Sequence, residues 1–253
     1  MYLVYETCTL YGCQVATEKL SKAAVAERAL RLGDEEGLEA VTVRRLAQAL
    51  GVTPMALYWH FKNKDELLVG IVDHVLTDVR ADRDAADPWL TQLRAMVETL
   101  VTVMRAHPIL ADLLHSVEKS EATSFSRATN DALTLLTQAG FSVREGFWVA
   151  TYLLHGAIGL VAAQPDCPAI VPADQVEEWR RQKRLKMEQL PADKFPMLVA
   201  FAATYKEEPD PERYFQFGID LLMAGVEAIA RGRGGLAQPA DSELVHPAGA
   251  VRP

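Results

Sequence analysis

The sequence predicts an all-α protein with two helical domains, and three observations lead to this class. Apolar residues recur at three- and four-residue steps along most of the chain, whereas strand-like alternation is nearly absent. Short stretches rich in Gly and Pro separate these periodic segments. The 253 residues, 49% apolar and 24% charged, suit a globular protein of one or two domains with a substantial core.

The first predicted domain, residues 20–66, begins with two short helices. Ser21 is a suitable N-cap for the first helix, and Gly37 stands at its end. Thr42 is a suitable N-cap for the second helix, which Gly51 stops. The glycines are expected at these ends because they adopt backbone angles that terminate a helix easily.

A third helix follows at once, with Thr53 as its N-cap and Pro54 at the first helical position, where a missing N–H costs no hydrogen bond. Three helices in about forty residues, the last two joined by a short turn, form the helix-turn-helix pattern. In this motif the last helix lies in the major groove of DNA with its first residues at the base edges.

Charge is unevenly distributed along an acidic chain whose net charge is −8. Residues 41–64 contain four basic side chains and no acidic one: Arg44, Arg45, Lys62 and Lys64. A locally basic segment attracts a polyanion even when the whole protein is acidic. We therefore expect this segment to face double-stranded DNA.

Four aromatic residues in a row, Tyr58 to Phe61, divide between two faces of the third helix. Leu57 and Phe61 are four residues apart and are expected to face inward, and Trp59 to pack on the shoulder of the bundle. Met55, Ala56, Tyr58 and His60 are expected to point outward. The alternative is a plain three-helix bundle with surface rings, which the coincidence of helix, turn and lysines disfavours.

The second predicted domain spans residues 67–231, and we expect it to be larger than the first and helical throughout. Helices are expected from Lys64, from Trp89 to a break at Pro108, and near 122–139, 143–164, 173–188, 197–206 and 212–231. Residues 1–19 are interpreted as a loose extension, and residues 232–253, rich in Gly, Pro and Ala, as a disordered tail.

The helix near 143–164 is apolar nearly all round, which predicts burial on two sides. Gly156 and Gly159 in this helix, and Gly218 and Gly225 in the last, would let a partner helix approach closely. The functional interpretation is a four-helix interface between two subunits of a homodimer. The alternative is a core formed within one chain.

His155 within that apolar helix suggests either a hydrogen-bonded core histidine or a polar anchor in a ligand pocket. Apolar and aromatic side chains at helical spacing are candidates for the pocket lining: Met96, Leu100, Met104, Phe125, Trp148 and Tyr152. Such a lining favours a small hydrophobic or polycyclic ligand, with His155 and Tyr152 as polar handles. Plain core packing is the competing explanation for each of these residues.

The charged stretch Glu177–Leu190 carries five basic residues with acids between them. A second nucleic-acid contact, a lid over the ligand site and a solvated helix all remain possible functions. The interspersed acids favour the solvated helix.

Other classes of protein find little support. Cys8, Cys13 and Cys167 are too few and too scattered for a disulfide framework, which indicates a cytoplasmic protein. No apolar run approaches the ~20 residues of a membrane span, and the first residues, with Glu6, do not resemble a signal peptide. No catalytic, phosphate-binding or dinucleotide motif occurs, so we expect no enzyme activity, cofactor or metal.

The stretch VTVRRLAQALGVTPMALYWHFKNKDELL resembles the DNA-binding domain of the tetracycline-repressor (TetR) family of bacterial regulators. GFSVREGFWVATYLLHGAIG and YFQFGIDLLMAGVEAIA resemble the core and dimer helices of its tetracycline-repressor branch. The resemblance covers roughly residues 20–231. It implies an all-helical homodimer that represses transcription at a palindromic operator until a small molecule binds.

The resemblance also implies roles for single residues. It places Arg44, Thr53, Met55 and Ala56 at bases, and Thr42, Tyr58, His60 and Lys64 at phosphates. Where tetracycline-binding members have a polar residue at the start of the recognition helix, this chain has Pro54, so we expect a different operator.

The resemblance departs from tetracycline-binding members at the ligand site. Those members hold a drug–magnesium chelate with a histidine and an acid. Here Leu114 or Ser116 falls near the histidine position, with His115 adjacent, and Ala163 falls near the acid. We therefore expect that tetracycline–magnesium is not the ligand.

Three hypotheses remain at this level. A ligand-responsive repressor leads, followed by a dimeric DNA-binding regulator controlled by a protein partner, and then by an enzyme or carrier that kept the fold. An open cavity with convergent polar groups would favour the first, and a closed apolar core the second.

Overall fold

The computed structural model of the protein describes residues 20–78, 84–162 and 171–233. Within these ranges the secondary structure consists of eleven α-helices and four short 3-10 segments, without strands. The predicted extension 1–19 and all of the predicted tail beyond Arg233 lie outside the described residues.

The N-terminal domain consists of a three-helix bundle and a fourth helix that leads out of it. Its helices are α1 (Lys22–Glu36), α2 (Val43–Ala49), α3 (Pro54–Tyr58) and α4 (Lys64–Asp78). α3 packs against α2, and α1 packs against both α2 and α4. The predicted three-helix arrangement is confirmed.

The predicted caps of these helices are formed, with one exception. Ser21 Oγ accepts from the Ala24 amide at 3.1 Å, and Thr42 Oγ1 accepts from the Arg45 amide at 3.3 Å. Thr53 precedes α3 without a side-chain cap bond. The remaining breaks use glycine with positive φ, at Gly37 and Gly51.

α4 begins with two side-chain caps that the sequence does not predict. Asn63 Oδ1 accepts from the Glu66 amide at 2.7 Å, and Glu66 Oε2 accepts from the Lys62 amide at 2.7 Å. The two bonds satisfy backbone donors before and inside the first turn. They fix where α4 leaves the helix-turn-helix.

The C-terminal domain contains the remaining seven helices. They are α5 (Trp89–Ala106), α6 (Ile109–Ser116), α7 (Thr123–Gln138), α8 (Val143–Ala162), α9 (Val176–Glu188), α10 (Pro196–Ala202) and α11 (Pro211–Arg233). α5, α7 and α8 pack on one another, and α11 packs on α5 and α8. One hydrophobic core runs through both domains.

The sequence predicts a break at Pro108 and does not predict α6. The spacing of Ile109, Leu110, Leu113 and Leu114, all buried, is nevertheless that of an amphipathic helix. A proline ends one helix and readily begins the next, since its fixed φ suits a first turn. α6 bridges α1 and α4 to α5 and α8.

α9, α10 and the 3-10 segment Ala203–Lys206 pack on one another. Arg180 of α9 is buried, and its Nη2 donates to the carbonyl oxygens of Tyr205 at 3.3 Å and Glu207 at 2.7 Å. The Arg180 guanidinium therefore joins α9 to the C-terminal end of the 3-10 segment.

Candidate DNA-binding surface and ligand cavity

The first residues of α3 form an exposed edge of the helix-turn-helix. Thr53, Pro54 and Met55 are exposed, while Leu57 and Phe61 are buried as predicted. Their side chains are short or flexible and lie at the end of the helix that such a motif directs toward base edges.

A second group of exposed polar side chains surrounds this edge. Tyr58, Arg44 and Lys64 are exposed, and His60 is partly exposed. Thr42 Oγ1 is engaged as the α2 cap, which leaves its hydroxyl hydrogen to donate outward. Together these groups provide donors of the kind that bind phosphate oxygens.

The basic segment divides into free and paired side chains. Arg45 pairs with Glu36 at the end of α1. Among the described residues, Arg44, Lys62 and Lys64 make no ion pair, and all three are exposed. The positive charge presented to solvent is therefore concentrated beside α3.

Two side chains of this region differ from the expectation. Ala56, expected to point outward, is only 3% exposed, because α3 is a five-residue helix whose flank is covered where it packs against α2. Trp59, expected to pack on the bundle, is 83% exposed at the C-terminal end of α3, where the chain turns toward α4.

A cavity of about 920 Å³ lies between α5, α7 and α8, the three helices to which the sequence pointed. Its volume falls in the range usual for sites that bind drug-sized molecules, roughly 300–1,000 Å³. Most of its wall is apolar, with Leu93, Val97, Leu133 and Leu154 among the lining side chains. Leu76 and Thr77 of α4 also line it, so the cavity reaches the helix that carries the DNA-binding domain.

The proposed ligand residues divide into two groups. Met96, Leu100, Phe125 and His155 line the cavity. Met104, Trp148 and Tyr152 are not among its lining residues. Met104 is fully buried in the core, while Trp148 and Tyr152 lie on the exposed face of α8, where Tyr152 is 74% exposed.

The helical period explains this division. Phe147, Thr151 and Leu154 stand on the cavity side of α8, whereas Trp148 and Tyr152 are rotated away from it by the 100° that each residue adds. The apolar character of α8 could not reveal which of its two apolar faces meets the cavity.

Two polar groups of the cavity wall lack a complete set of partners. The Nδ1–H of His155 donates to the Thr151 carbonyl oxygen at 2.9 Å, which leaves Nε2 as an acceptor. Ser124 Oγ is buried and has no hydrogen-bond partner. His115 stands next to His155, with ring centroids 6.2 Å apart.

α8 and α11 present an apolar face that no helix of the described chain covers. Trp148 and Tyr152 are exposed on α8, and Phe217, Leu221 and Ile229 on α11. Among the described helices only α8 is long and apolar enough to cross a membrane, a test that core helices of other proteins also pass. Contiguous exposed apolar surface of this kind marks an interaction site.

The four glycines of these helices have two different functions. A Cβ at Gly156 would lie 2.7 Å from Leu222 Cδ2, and one at Gly218 would lie 2.2 Å from Leu160 Cδ2. These two glycines therefore permit close packing within one subunit. Gly159 and Gly225 have open space beside them and remain available to a partner helix.

Three polar contacts connect α1, α4 and the C-terminal domain. His74 Nε2 donates to Glu27 Oε2 at 3.0 Å, joining α4 to α1, and this hydrogen bond is the main cause that lowers the pKa of Glu27. His107 Nδ1 lies 2.8 Å from Asp34 Oδ2, joining the α5–α6 corner to α1. The third contact joins α7 to α4, where the Ser124 amide donates to Asp73 Oδ1 at 2.7 Å.

The charged helix α9 uses most of its basic residues internally. Arg181 pairs with Glu178, and Arg184 with Glu188. Arg180 is buried. These pairs agree with the solvated-helix interpretation.

Comparison with known proteins identifies the family. Residues 25–71 match the family described as "Bacterial regulatory proteins, tetR family", and residues 83–230 match "Tetracyclin repressor-like, C-terminal domain". The chain belongs to the TetR family. It is thus a DNA-binding transcriptional regulator.

Individual relatives agree with this membership over most of the chain. The class C tetracycline repressor of Escherichia coli is 29% identical over 213 residues, covering 83% of this chain and 92% of that protein. Among solved TetR family structures, apo ActR from Streptomyces coelicolor has a TM-score of 0.70 at 27% identity, covering 86% of this chain and 100% of that one.

Two further structures show relatives with what they bind. ActR in complex with actinorhodin has a TM-score of 0.66 at 27% identity, covering 84% of this chain and 99% of that one. BioQ with its double-stranded DNA operator has a TM-score of 0.55 at 25% identity, covering 83% and 99%.

Proposed function

We propose that this regulator is a cytoplasmic homodimeric repressor. It binds a palindromic operator and dissociates from it when a small, largely apolar organic molecule binds. The observation that carries the proposal is the cavity of about 920 Å³, because its wall includes residues of α4. α4 begins at the helix-turn-helix, so a molecule in the cavity touches the element that orients the DNA-binding domain.

Operator binding is assigned to two sets of side chains. Arg44, Thr53, Pro54 and Met55 are proposed to face base edges, and Thr42, Tyr58, His60 and Lys64 to face phosphates. Ala56 is proposed to contribute only its backbone and shape, since its side chain is buried.

The homodimer is assigned to the uncovered face of α8 and α11. Two helices from each subunit would form a four-helix interface around Gly159 and Gly225. Trp148 and Tyr152, which the sequence predicts in the ligand pocket, are assigned to this interface because both side chains are exposed. Large aromatic side chains are favoured at the centre of such interfaces.

The ligand is proposed to be a flat or polycyclic molecule bearing a few oxygen atoms. Met96, Leu100 and Phe125 provide apolar contacts, and His155 and Ser124 provide hydrogen-bonding groups. That actinorhodin binds the relative ActR supports this class. A regulator without a small ligand is the less favoured alternative, because a closed core would be expected there.

Release requires that the ligand bind the DNA-free conformation more tightly than the DNA-bound one. A tenfold loss of operator affinity needs about 1.4 kcal/mol of such preference. A direct test titrates protein on its selected operator with actinorhodin and related polycyclic compounds. Release by at least one compound is expected, whereas failure of every compound would contradict ligand control.

A further inference from the structure

Ser124, in the first turn of α7, is a lining residue of the cavity with an unused hydrogen-bonding group. The residue is only 5% exposed, and its Oγ is shielded from water without any protein partner. Leaving a hydroxyl buried and unpaired is unfavourable, and such groups are rare in folded proteins. A buried unpaired hydroxyl in the wall of a ligand cavity therefore calls for an explanation.

The backbone of the same residue is tied to another helix. The Ser124 amide donates to Oδ1 of Asp73 on α4 at 2.7 Å. Ala122, the N-cap of α7, offers no side-chain cap, so Asp73 supplies the cap from outside the helix. Any displacement of the first turn of α7 therefore changes a hydrogen bond that α4 makes.

The residue of α4 that follows Asp73 faces the DNA-binding domain. His74 contacts Glu27 of α1, so Asp73 and His74, adjacent in sequence, bind the two domains on either side of α4. Adjacent residues of a helix point about 100° apart, which allows this division. α4 thus has one anchor on the cavity wall and one on the helix-turn-helix bundle.

We propose that Ser124 senses the ligand and that Asp73 conveys its presence to α4. The inference rests on the proposed function, namely that an organic molecule occupies the cavity. Rotation of the Ser124 side chain to another staggered rotamer brings Oγ toward the cavity, where it donates to a carbonyl or phenolic oxygen of the ligand. The accompanying adjustment of the first turn of α7 changes the Ser124–Asp73 hydrogen bond and reorients α4.

A purely structural function predicts different behaviour for this residue. If serine were needed only for packing or local hydrogen bonding, removing Oγ would destabilise the ligand-free protein. If the hydroxyl is reserved for a ligand, Ser124→Ala removes an unpaired polar group and raises Tm without ligand. Ser116→Ala is the matched control, because Ser116 Oγ donates to the Asp112 carbonyl oxygen at 3.0 Å and lies outside the cavity.

Ligand affinity provides the second readout. The probes are actinorhodin and a panel of carbonyl- and phenol-bearing polycyclic compounds, measured by calorimetry with the full-length protein. For whichever probe binds wild type most tightly, Ser124→Ala is expected to weaken binding about tenfold, the effect of one lost hydrogen bond of about 1.4 kcal/mol. Ser116→Ala should leave that affinity unchanged.

The function of Asp73 is tested by the coupling between the ligand cavity and the DNA-binding surface. This coupling is measured as the ratio of the operator affinity without probe to the operator affinity with saturating probe. Asp73→Ala removes the acceptor of the Ser124 amide, so this ratio should fall at least fivefold while probe binding persists. Asp73→Asn retains an acceptor oxygen of the same reach and should restore the ratio. A function in stability alone would lower Tm in Asp73→Ala without changing this ratio.

The outcomes separate the inference from the proposed function. If no probe releases wild-type protein from its operator, the proposed function fails and the inference fails with it. If probes release wild type but Ser124→Ala lowers Tm and binds them as tightly as wild type, the sensing function of Ser124 is wrong. If Asp73→Ala keeps the full ratio, transmission through Asp73 is wrong.

Discussion

Arg233 Nη1, at the end of α11, donates to Oε2 of Glu145 in the first turn of α8 at 2.7 Å. The same carboxylate accepts from the amide of Ser142 at 3.0 Å and from its hydroxyl at 2.7 Å. Ser142 Oγ accepts in turn from the Glu145 amide at 3.4 Å, which completes a capping box. Arg233 also stacks over the ring of Phe141. The contact fixes the start of one proposed dimer helix to the end of the other.

This contact predicts an acid-sensitive contribution to stability. Hydrogen bonds from Arg233, and then from Ser142, lower the pKa of Glu145 to about 2. Because the folded pKa is below the unfolded value of about 4.3, the contribution is complete above that value and is lost as pH falls toward 2. Glu145→Gln should therefore destabilise the protein at pH 7, and much less near pH 2.5, in urea unfolding at fixed protomer concentration.

Glu227→Gln provides the control for this measurement. Glu227 pairs with Arg231 on the exposed surface of α11, within one helix. Exposed pairs of this kind contribute little to stability. An equal effect of both substitutions at pH 7 would show that the contact between α8 and α11 contributes no more to the free energy of unfolding than an exposed pair does.

Assembly should depend on Gly225, which has open space beside it on the exposed face of α11. Gly225→Trp would hold two subunits apart, so light scattering should detect monomers or aggregates. Gly225→Ala, a small change, should leave the dimer intact. A wild-type-like dimer of Gly225→Trp would count against the proposed interface.

Gly218→Ala should act differently, because its Cβ would clash with Leu160 of the same subunit. We expect a loss of unfolding free energy of about 1–3 kcal/mol, as for overpacked cores. The measurement is urea unfolding, with protomer concentration held constant. Unchanged stability would mean that α8 and α11 separate more easily than the contact indicates.

Lys64 should provide one phosphate contact to each half-site. Lys64→Ala is expected to weaken binding to all DNA sequences and to lower the slope of log K against log salt by about one unit per subunit. Tyr58→Phe should weaken binding without changing that slope. Lys183→Ala, which alters an exposed lysine of α9, is the control and also tests whether α9 contacts DNA.

An unchanged affinity and salt slope for Lys64→Ala would remove its phosphate assignment. A reduced slope for Lys183→Ala would show instead that α9 forms a second nucleic-acid contact, the alternative that the internal pairing of its arginines disfavours.

Filling the cavity should separate ligand control from DNA binding. Ala150 lines the cavity, and Ala150→Trp is expected to reduce probe affinity at least tenfold while operator affinity remains within about threefold. Thr134→Trp, on the exposed face of α7, is the control. Undiminished probe affinity of Ala150→Trp, measured by calorimetry, would place the ligand elsewhere.

Tetracycline with magnesium is expected not to release the operator. Leu114 is buried in the core, and Ser116 Oγ donates a hydrogen bond to the Asp112 carbonyl oxygen of its own helix. Neither side chain therefore presents a metal ligand. Ala163 lies outside the described residues. Tight binding of the chelate with release of DNA would overturn this expectation.

Local chemistry made the helix-turn-helix predictable from sequence. The caps at Ser21 and Thr42, the glycine breaks and Pro54 at the start of α3 all act within a few residues, where spacing alone carries the information. The burial of Leu57 and Phe61 follows from the same short-range periodicity.

The cavity was predictable only in part, because its geometry depends on contacts between distant segments. Helical periodicity predicts that α5, α7 and α8 form its walls. It does not show which of the two apolar faces of α8 meets the cavity, and the prediction that Trp148 and Tyr152 line the cavity is therefore wrong. The hydrogen bond between Asp73 and Ser124 spans 51 positions and has no sequence signal.

The most direct test of the account is selection of operator DNA from a random duplex library by the full-length protein, followed by measurement of the stoichiometry on the enriched sequence. We expect a palindrome whose half-site centres lie ~34–36 Å apart, bound by two protomers through the α3 edge. Binding should be lost when Met55 is replaced by Asp, which places a negative charge at the bases. Enrichment of no sequence, or of a site without two-fold symmetry bound by one protomer, would contradict it.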